Sequence, residues 1–396
     1  MANTKPTQQN KAWQQTLVYF AGLASFGIMV ASWGPVLPFI AEQTGTNLGD
    51  MGLVITARAV GVFTFSMLGA HLFDRLPGHR LLGGAMLMIA AVFVFIPLVN
   101  QFWLLLVMIF VMGLGLGLVS TGSNALLAWV HPDNLGPWMN GMNFSNSIGS
   151  LLAPVLITAI LTATGHIRWA FWVLALLVGS FGVYALLIPS PAIRKSKSET
   201  DEGGGINFGK IWPFALFFVL YVSAEVSFGG WLYTYTITLH PEALTGAGIL
   251  TSAFFAAMAA GRLTAVPLSV RLRPRTLLLI DLLGAIASLI VILALPSSFT
   301  ALWVGAIGYG FFMAPIFPTW MTFADNRIQV NGKIAGLFYG AGAIGSMSFP
   351  WLCGKIYDAS GPQMMIVAIF FALLAAAGIY AAVRITSSRK NEPGNG

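Results

Sequence analysis

Four charged side chains interrupt long apolar runs of this chain: Arg58, Glu225, Arg262 and Asp281. A charge near the centre of a bilayer costs about 2.5–3.5 kcal/mol even on a lenient scale, so each needs a partner or a task. Glu225 is the most informative. It stands about 13 residues into the apolar run that opens near Trp212, roughly 20 Å of helical rise. Its surroundings are Tyr221-Val-Ser-Ala-Glu225-Val-Ser-Phe-Gly-Gly-Trp231-Leu-Tyr233. The small residues there suggest a helix that bends or unwinds beside a cavity. A carboxylate in such a place titrates, binds a cation or accepts hydrogen bonds from hydroxyl groups. The plainer alternative is a permanent ion pair with Arg58 or Arg262.

Arg262 and Asp281 fall near the cytoplasmic ends of their runs, at similar depth. That permits a pair that pins this side, structurally or as a gate. Arg58 is open between a substrate contact, a pair with Glu225 and an interhelical brace. Asn140, Asn143 and Asn146 open one run, and Asn124 follows Ser120-Thr121-Gly122-Ser123 in another. Asn143 and Asn146 share a helix face. Amides are uncharged donors and acceptors suited to polyol hydroxyls, although interhelical bonding competes equally. Trp33, Trp231, Tyr309 and Tyr339 offer flat apolar surfaces for a sugar ring, against the commoner roles of packing and interface belt.

These residues must be held by helices in lipid. The chain is 57% hydrophobic and only 8% charged, with mean hydropathy +0.80, whereas soluble domains carry roughly 25% charge. Windows of about 20 apolar residues span a bilayer, and twelve such spans are expected. The first six are Leu17–Ala41, Met51–Leu72, Leu81–Val99, Trp103–Val130, Trp138–Thr162 and Trp169–Pro189. The second six are Trp212–Leu239, Gly246–Val270, Leu277–Leu295, Ala301–Phe323, Ile334–Cys353 and Met364–Arg384.

Six plus six is also what an internal repeat demands. Ile148-Gly149-Ser150-x-x-x-Pro154 recurs as Ile344-Gly345-Ser346-x-x-x-Pro350, a shift of 196 residues. Asp74-Arg75-Leu76 lies over Val270-Arg271-Leu272, and Gly136 over Gly332, at the same shift. Two copies of one unit joined end to end point, in a membrane chain, to a transporter with its site between the halves. The fold class expected is therefore an all-α integral membrane protein with twelve transmembrane helices in two six-helix bundles. Residues 1–189 form the N-terminal bundle, 190–210 a cytoplasmic linker and 211–396 the C-terminal bundle. The linker carries Arg194-Lys195-Ser196-Lys197, three acidic residues and Gly203-Gly204-Gly205, the composition of a flexible tether. Glycines at 113, 115 and 117 in span four correspond to those at 305, 308 and 310 in span ten, which suits close helix packing or a sliding surface.

The net charge of +7 is a topology signal, so no nucleic-acid partner is expected. With the N-terminus inside, sixteen of the lysines and arginines fall in cytoplasmic segments, and only Arg168 and Lys355 fall opposite. That bias sets the orientation and puts both termini in the cytoplasm. Met1–Gln15 has no signal-peptide core or cleavage site. Cys353 is the sole cysteine, which excludes an intrachain disulfide and a thiolate metal cluster. No His-Glu-x-x-His pattern or P-loop is present, so neither an intramembrane enzyme nor ATP-driven chemistry is expected.

The loop Gly69-x4-Asp74-Arg75-x2-Gly78-His79-Arg80 resembles the signature loop of the major facilitator superfamily, with the glycine one residue further from the aspartate than usual. Within it, the chain resembles the branch of sodium-dependent glucose transporters and fucose–proton symporters. The segments are Gly34-Pro35-Val36-Leu37-Pro38 with Gln43-Thr44-Gly45-Thr46, Thr121-Gly122-Ser123-Asn124, Ala224 through Trp231, Gly261-Arg262-Leu263, and Ile316-Phe317-Pro318 through Gly332-Lys333. The resemblance implies the major facilitator fold and cation-coupled symport of a hexose or related sugar by alternating access. It carries Glu225 and Asn124 over as polar site residues, with Asp74 and Arg75 in the structural loop. Many members are acidic in span four where this chain has Ser120, so coupling falls to Glu225 or is absent.

The expectations are a small-molecule substrate, a lipid bilayer, a monomer, no cofactor or metal, H⁺ or Na⁺ as coupling ion at Glu225, and a bacterial inner membrane. The competing classes are a proton-coupled exporter of drugs or metabolites, whose cavity the 16 Met and 29 Phe would line, and a non-transporting membrane sensor.

Overall fold

The computed structural model describes residues 6–73, 75–132, 135–191, 208–328, 330 and 332–388. Among them are thirteen α-helices and short 3₁₀ turns. They run α1 (Pro6–Thr44), α2 (Gly52–Phe73), α3 (Gly78–Phe95), α4 (Phe102–Val130), α5 (Leu135–Thr164), α6 (Ile167–Leu187) and α7 (Phe208–Leu239). Then follow α8 (Leu244–Arg271), α9 (Pro274–Ala294), α10 (Phe299–Met313), α11 (Ile316–Ile328), α12 (Gly332–Ser360) and α13 (Pro362–Ser388). Apolar residues occupy every face of most of them, as lipid requires. Eleven described segments are long and apolar enough to cross a bilayer. The twelfth helix of that length, α12, has 29 residues whose glycines and serines dilute its apolar content. Residues 192–207, which hold most of the expected tether, lie outside the described residues.

One expected span departs from a single helix. The run Ala301–Phe323 breaks at Ala314-Pro315, so that α10 and α11 together make one span. Pro315 and Pro318 supply no amide hydrogen, so the carbonyls of Phe311 and Ala314 lose their helical donors.

The chain divides into two compact units, Met1–Asp201 with Pro241–Ser252, and Glu202–His240 with Ala253–Gly396. Each has its own packing. In the first, α1 lies along α5, α2 along α4 and α3 along α6. In the second, α7 lies along α12 and α13, and α9 along α10 and α13, while α8 meets α10 where Gly310 faces the Phe254 backbone. The repeat explains the likeness. A Cβ on Gly149 would strike the Ala24 carbonyl of α1, and one on Gly345 the Val219 carbonyl of α7. Gly113 faces the Arg58 carbonyl in the first unit much as Gly310 faces that of Phe254 in the second. Gly165 and Gly361, also 196 apart, end α5 and α12 with φ of 70° and 88°. This left-handed cap is cheap only for glycine.

The end of the first unit where α1 begins is tied by polar contacts. The Ile188 carbonyl can only accept, so His79 Nδ1 donates to it at 2.9 Å, leaving Nε2 to accept the Tyr19 hydroxyl at 3.0 Å. Gln15 donates to the Pro189 carbonyl at 2.8 Å. Nearby, His131 meets the Thr16 hydroxyl at 2.7 Å and stacks on Trp138 with ring centroids 4.2 Å apart. Burial pushes the His131 imidazole below its ordinary value of 6.5. The folded chain thus favours the neutral ring. The stabilisation is complete above the ordinary value and is lost as pH falls through the folded one. Acidification from about pH 7.5 to about pH 5.5 should lower the thermal midpoint of the purified protein, and His131→Phe should blunt that fall. Equal falls in both proteins refute this account.

Candidate functional site

Tyr221 and Glu225 lie one turn apart on α7 and share a face. Tyr221 is buried and Glu225 half-buried. The Tyr221 hydroxyl donates to the Met313 carbonyl at 3.0 Å, and the Glu225 carboxyl group lies within electrostatic range of it. Met313 is the last residue of α10, immediately before the break in that span. From α8, the exposed Arg262 places its charge within electrostatic range of both Glu225 and Tyr221. Gly261, next to it, is pressed on the Phe311 carbonyl of α10, which brings α8 up to the break. From α10, the fully buried Tyr309 is also within electrostatic range of Glu225. Its Oη has no hydrogen-bond partner among the described residues. The centroid of its ring is 4.4 Å from that of Phe228, and the Cys353 thiol of α12 is within electrostatic range of it.

The second unit therefore gathers Glu225, Arg262 and Tyr309, with Tyr221 added. Arg262 lies within electrostatic range of Glu225. Asp281 itself is buried on α9, and its Oδ2 has no partner among the described residues. Trp231 is fully buried, donates to the Pro350 carbonyl at 3.1 Å and stacks on Tyr357. Its polar atom is satisfied within the unit, and its faces are taken by packing. Tyr339 is 59% exposed and leans on Phe317, away from any described contact with Glu225.

In the first unit, Trp33 and Arg58 are buried, and Trp33 Nε1 and Arg58 Nε have no hydrogen-bond partner among the described residues. Asn146 is half-buried against Gly27 of α1, with Oδ1 likewise unpartnered among them. Asn143 is exposed one turn earlier. Asn124 turns back to donate to the Ser120 carbonyl of its own helix at 2.8 Å. Asp74 lies outside the described residues, and Arg75 is exposed beside it.

Sequence reasoning passed over two residues. Tyr221 was present in the quoted segment, and its i−4 spacing from Glu225 was the signal available. His79 sits inside the signature loop, but nothing in the sequence places it against Ile188. Chemically, the second unit offers an acid, a cation within electrostatic range of it, and a phenol that holds the Met313 carbonyl at the break.

The Major Facilitator Superfamily model matches residues 19–350. Among curated proteins, the chain is 26% identical over 399 residues to sodium-dependent glucose transporter 1A of Mus musculus, covering 90% of this chain and 94% of that one. It is 28% identical over 359 residues to sodium-dependent glucose transporter 1 of Xenopus laevis, covering 83% and 72%. Among solved structures, it is similar to the nucleoside transporter NupG, at TM-score 0.75 and 13% identity, covering 94% of this chain and 98% of that one. It is also similar to a bacterial homolog of the human lysosomal transporter Spinster in an inward-facing, occupied conformation, at TM-score 0.76 and 15% identity over the whole of both chains.

Proposed function

The chain belongs to the Major Facilitator Superfamily, a multi-pass membrane transporter family, and from that premise we propose that it is a sugar/cation symporter working by alternating access. The substrate class is a hexose or related sugar, and the coupling ion binds at Glu225. One observation carries the reading: the sole carboxylate of α7 has a phenol one turn before it, bonded to the end of the broken span, and an arginine of α8 within electrostatic range. A carboxyl group so placed exchanges a cation with the aqueous path in one conformation and holds it in another. The names of the curated relatives support sugar as cargo. In the first unit, Asn146 and Arg58, with unpartnered polar atoms, are the groups suited to sugar hydroxyls. Trp231, stacked on Tyr357, and Tyr309, packed on Phe228, serve packing under this proposal, and the ring platform that remains is Trp33. The membrane is a bacterial inner membrane, with both termini in the cytoplasm on the strength of the lysine and arginine bias.

A thermal-shift screen of the purified protein against sugars, with and without Na⁺ and at two pH values, tests this. A bound sugar at about 100 times its Kd stabilises the folded state by about 2.7 kcal/mol. One sugar class should raise the midpoint, and more so in the presence of the coupling ion. Stabilisation by apolar cations alone would select the proton-coupled exporter.

A further inference from the structure

Arg58 carries a charge that no described acid of its unit answers. It shares a face of α2 with Val54, Ile55 and Gly61, all buried, and is itself only 8% exposed. Helix α4 is pressed on the same stretch, where a Cβ on Gly113 would meet the Arg58 carbonyl and the Gly61 Cα. The guanidinium is therefore enclosed, and its Nε has no hydrogen-bond partner among the described residues. The described acids of the first unit are Glu42, Asp50 and Glu242. Glu42 and Glu242 are exposed, and Asp50 lies eight residues before Arg58, roughly 12 Å of helical rise. A buried carboxylate in this state takes up a proton and becomes neutral, but a guanidinium keeps its charge. A second observation points the same way. Trp33 of α1 is fully buried, and its Nε1 also lacks a partner among the described residues. Both nitrogens only donate, so what this unit lacks is an acceptor.

We infer that the first unit holds a binding site for a monovalent anion at Arg58, either the carboxylate of an acidic sugar or a small inorganic anion such as chloride bound beside a neutral one. This deepens the proposed function and rests on it, because Arg58 is among the groups assigned there to the cargo. A sugar hydroxyl accepts a hydrogen bond from the guanidinium but leaves its charge uncompensated. A carboxylate accepts two parallel N–H bonds from the planar fork and cancels the charge. Chloride cancels the charge without the paired geometry.

The thermal midpoint of the whole protein in nanodiscs tests this, in a buffer whose only anion is the bulky sulfonate MES and whose Na⁺ is held constant. Sodium glucuronate, sodium chloride and glucose are the probes. In the wild type, glucuronate or chloride should raise the midpoint with a saturable dose dependence. Arg58→Gln should weaken that response about tenfold in apparent affinity, the weight of one hydrogen bond to a charged group. Arg58→Lys keeps the charge but not the fork, and should fall between the two for glucuronate. In MES buffer alone, Arg58→Gln should melt no lower than the wild type, because an uncompensated buried charge has been removed. A lower midpoint there makes Arg58 a brace and overturns the site. A wild-type midpoint indifferent to both anions overturns it as well, whether or not the variants fold. So does an anion response kept whole in Arg58→Gln. A glucuronate response larger than that of chloride puts the anion on the cargo, and the reverse puts it on an inorganic ion. Glucose that stabilises wild type and Arg58→Gln equally, with no anion response, removes the anion site and leaves sugar transport standing. A chloride response with none to either sugar leaves the anion site standing and removes the sugar.

Discussion

Proteoliposomes carrying Glu225→Gln are expected to exchange sugar across the membrane and yet fail to accumulate it against a gradient. A potential of about 100 mV is worth about 2.3 kcal/mol per charge moved, which sustains roughly a fiftyfold concentration ratio for one coupled ion. That ratio should collapse to about one in the variant, because an amide at this place has no titratable proton and no negative charge to hold a cation. Counterflow should persist, since it needs only the conformational exchange of loaded protein. The amide is nearly the same size and shape as the carboxyl group, and so keeps the packing around Tyr221, Tyr309 and the α10–α11 break. Lost counterflow together with a lower melting midpoint would mean that Glu225 is structural. Undiminished accumulation would move the coupling site elsewhere, with the buried Asp281 as the next carboxylate to test.

The helices were legible in the sequence because lipid imposes one rule on every spanning segment: about 20 apolar residues with every backbone group satisfied internally. Duplication was legible too, because Gly149 and Gly345 sit against backbone, where no other residue fits. The site was legible only in part. Glu225 stood out because a lone carboxylate in an apolar run is costly, and Arg262 for the same reason. Where their side chains point depends on tertiary packing. Spacing along α8 and α9 allowed Arg262 to meet Asp281 and left a pair with Glu225 open, and only the tertiary packing brings its charge within electrostatic range of Glu225. Aromatic residues were harder still. Trp231, Tyr309 and Tyr339 look alike in sequence, but one is satisfied by Pro350, one is buried with an open hydroxyl, and one is exposed. The break at Ala314-Pro315 escaped because hydropathy averages over a window that a two-residue interruption barely changes.

A valine at either copy of the repeat glycine should be among the most destabilising single changes in the chain. In Gly345→Val the new Cβ meets the Val219 carbonyl and the Ser223 side chain, and in Gly149→Val it meets the Ala24 carbonyl and the Ile28 amide. Backbone cannot rotate out of the way as a side chain does, so two helices packed along their length must part. Overpacking of this kind costs about 1–3 kcal/mol, or a midpoint lower by roughly 5–10 °C in a unit of this size. Gly340→Ala is the control within α12, because a Cβ there meets nothing within 4 Å. It should be neutral or gain about 0.5–1 kcal/mol from helix propensity. Equal loss from Gly340→Ala and Gly345→Val would mean that flexibility along α12 matters and the crossing does not. The serines beside these glycines show why the two copies need not be equivalent in function. Ser150 is within reach of the Gly27 carbonyl of α1 at 3.2 Å as well as the Asn146 carbonyl of its own helix at 3.1 Å, whereas Ser346 donates to Ala343 of its own helix at 2.8 Å. The crossing is held in both units by the residue that has no side chain. The polar groups around it were free to diverge, so that α7 carries the acid Glu225 where the corresponding place on α1 holds Met29.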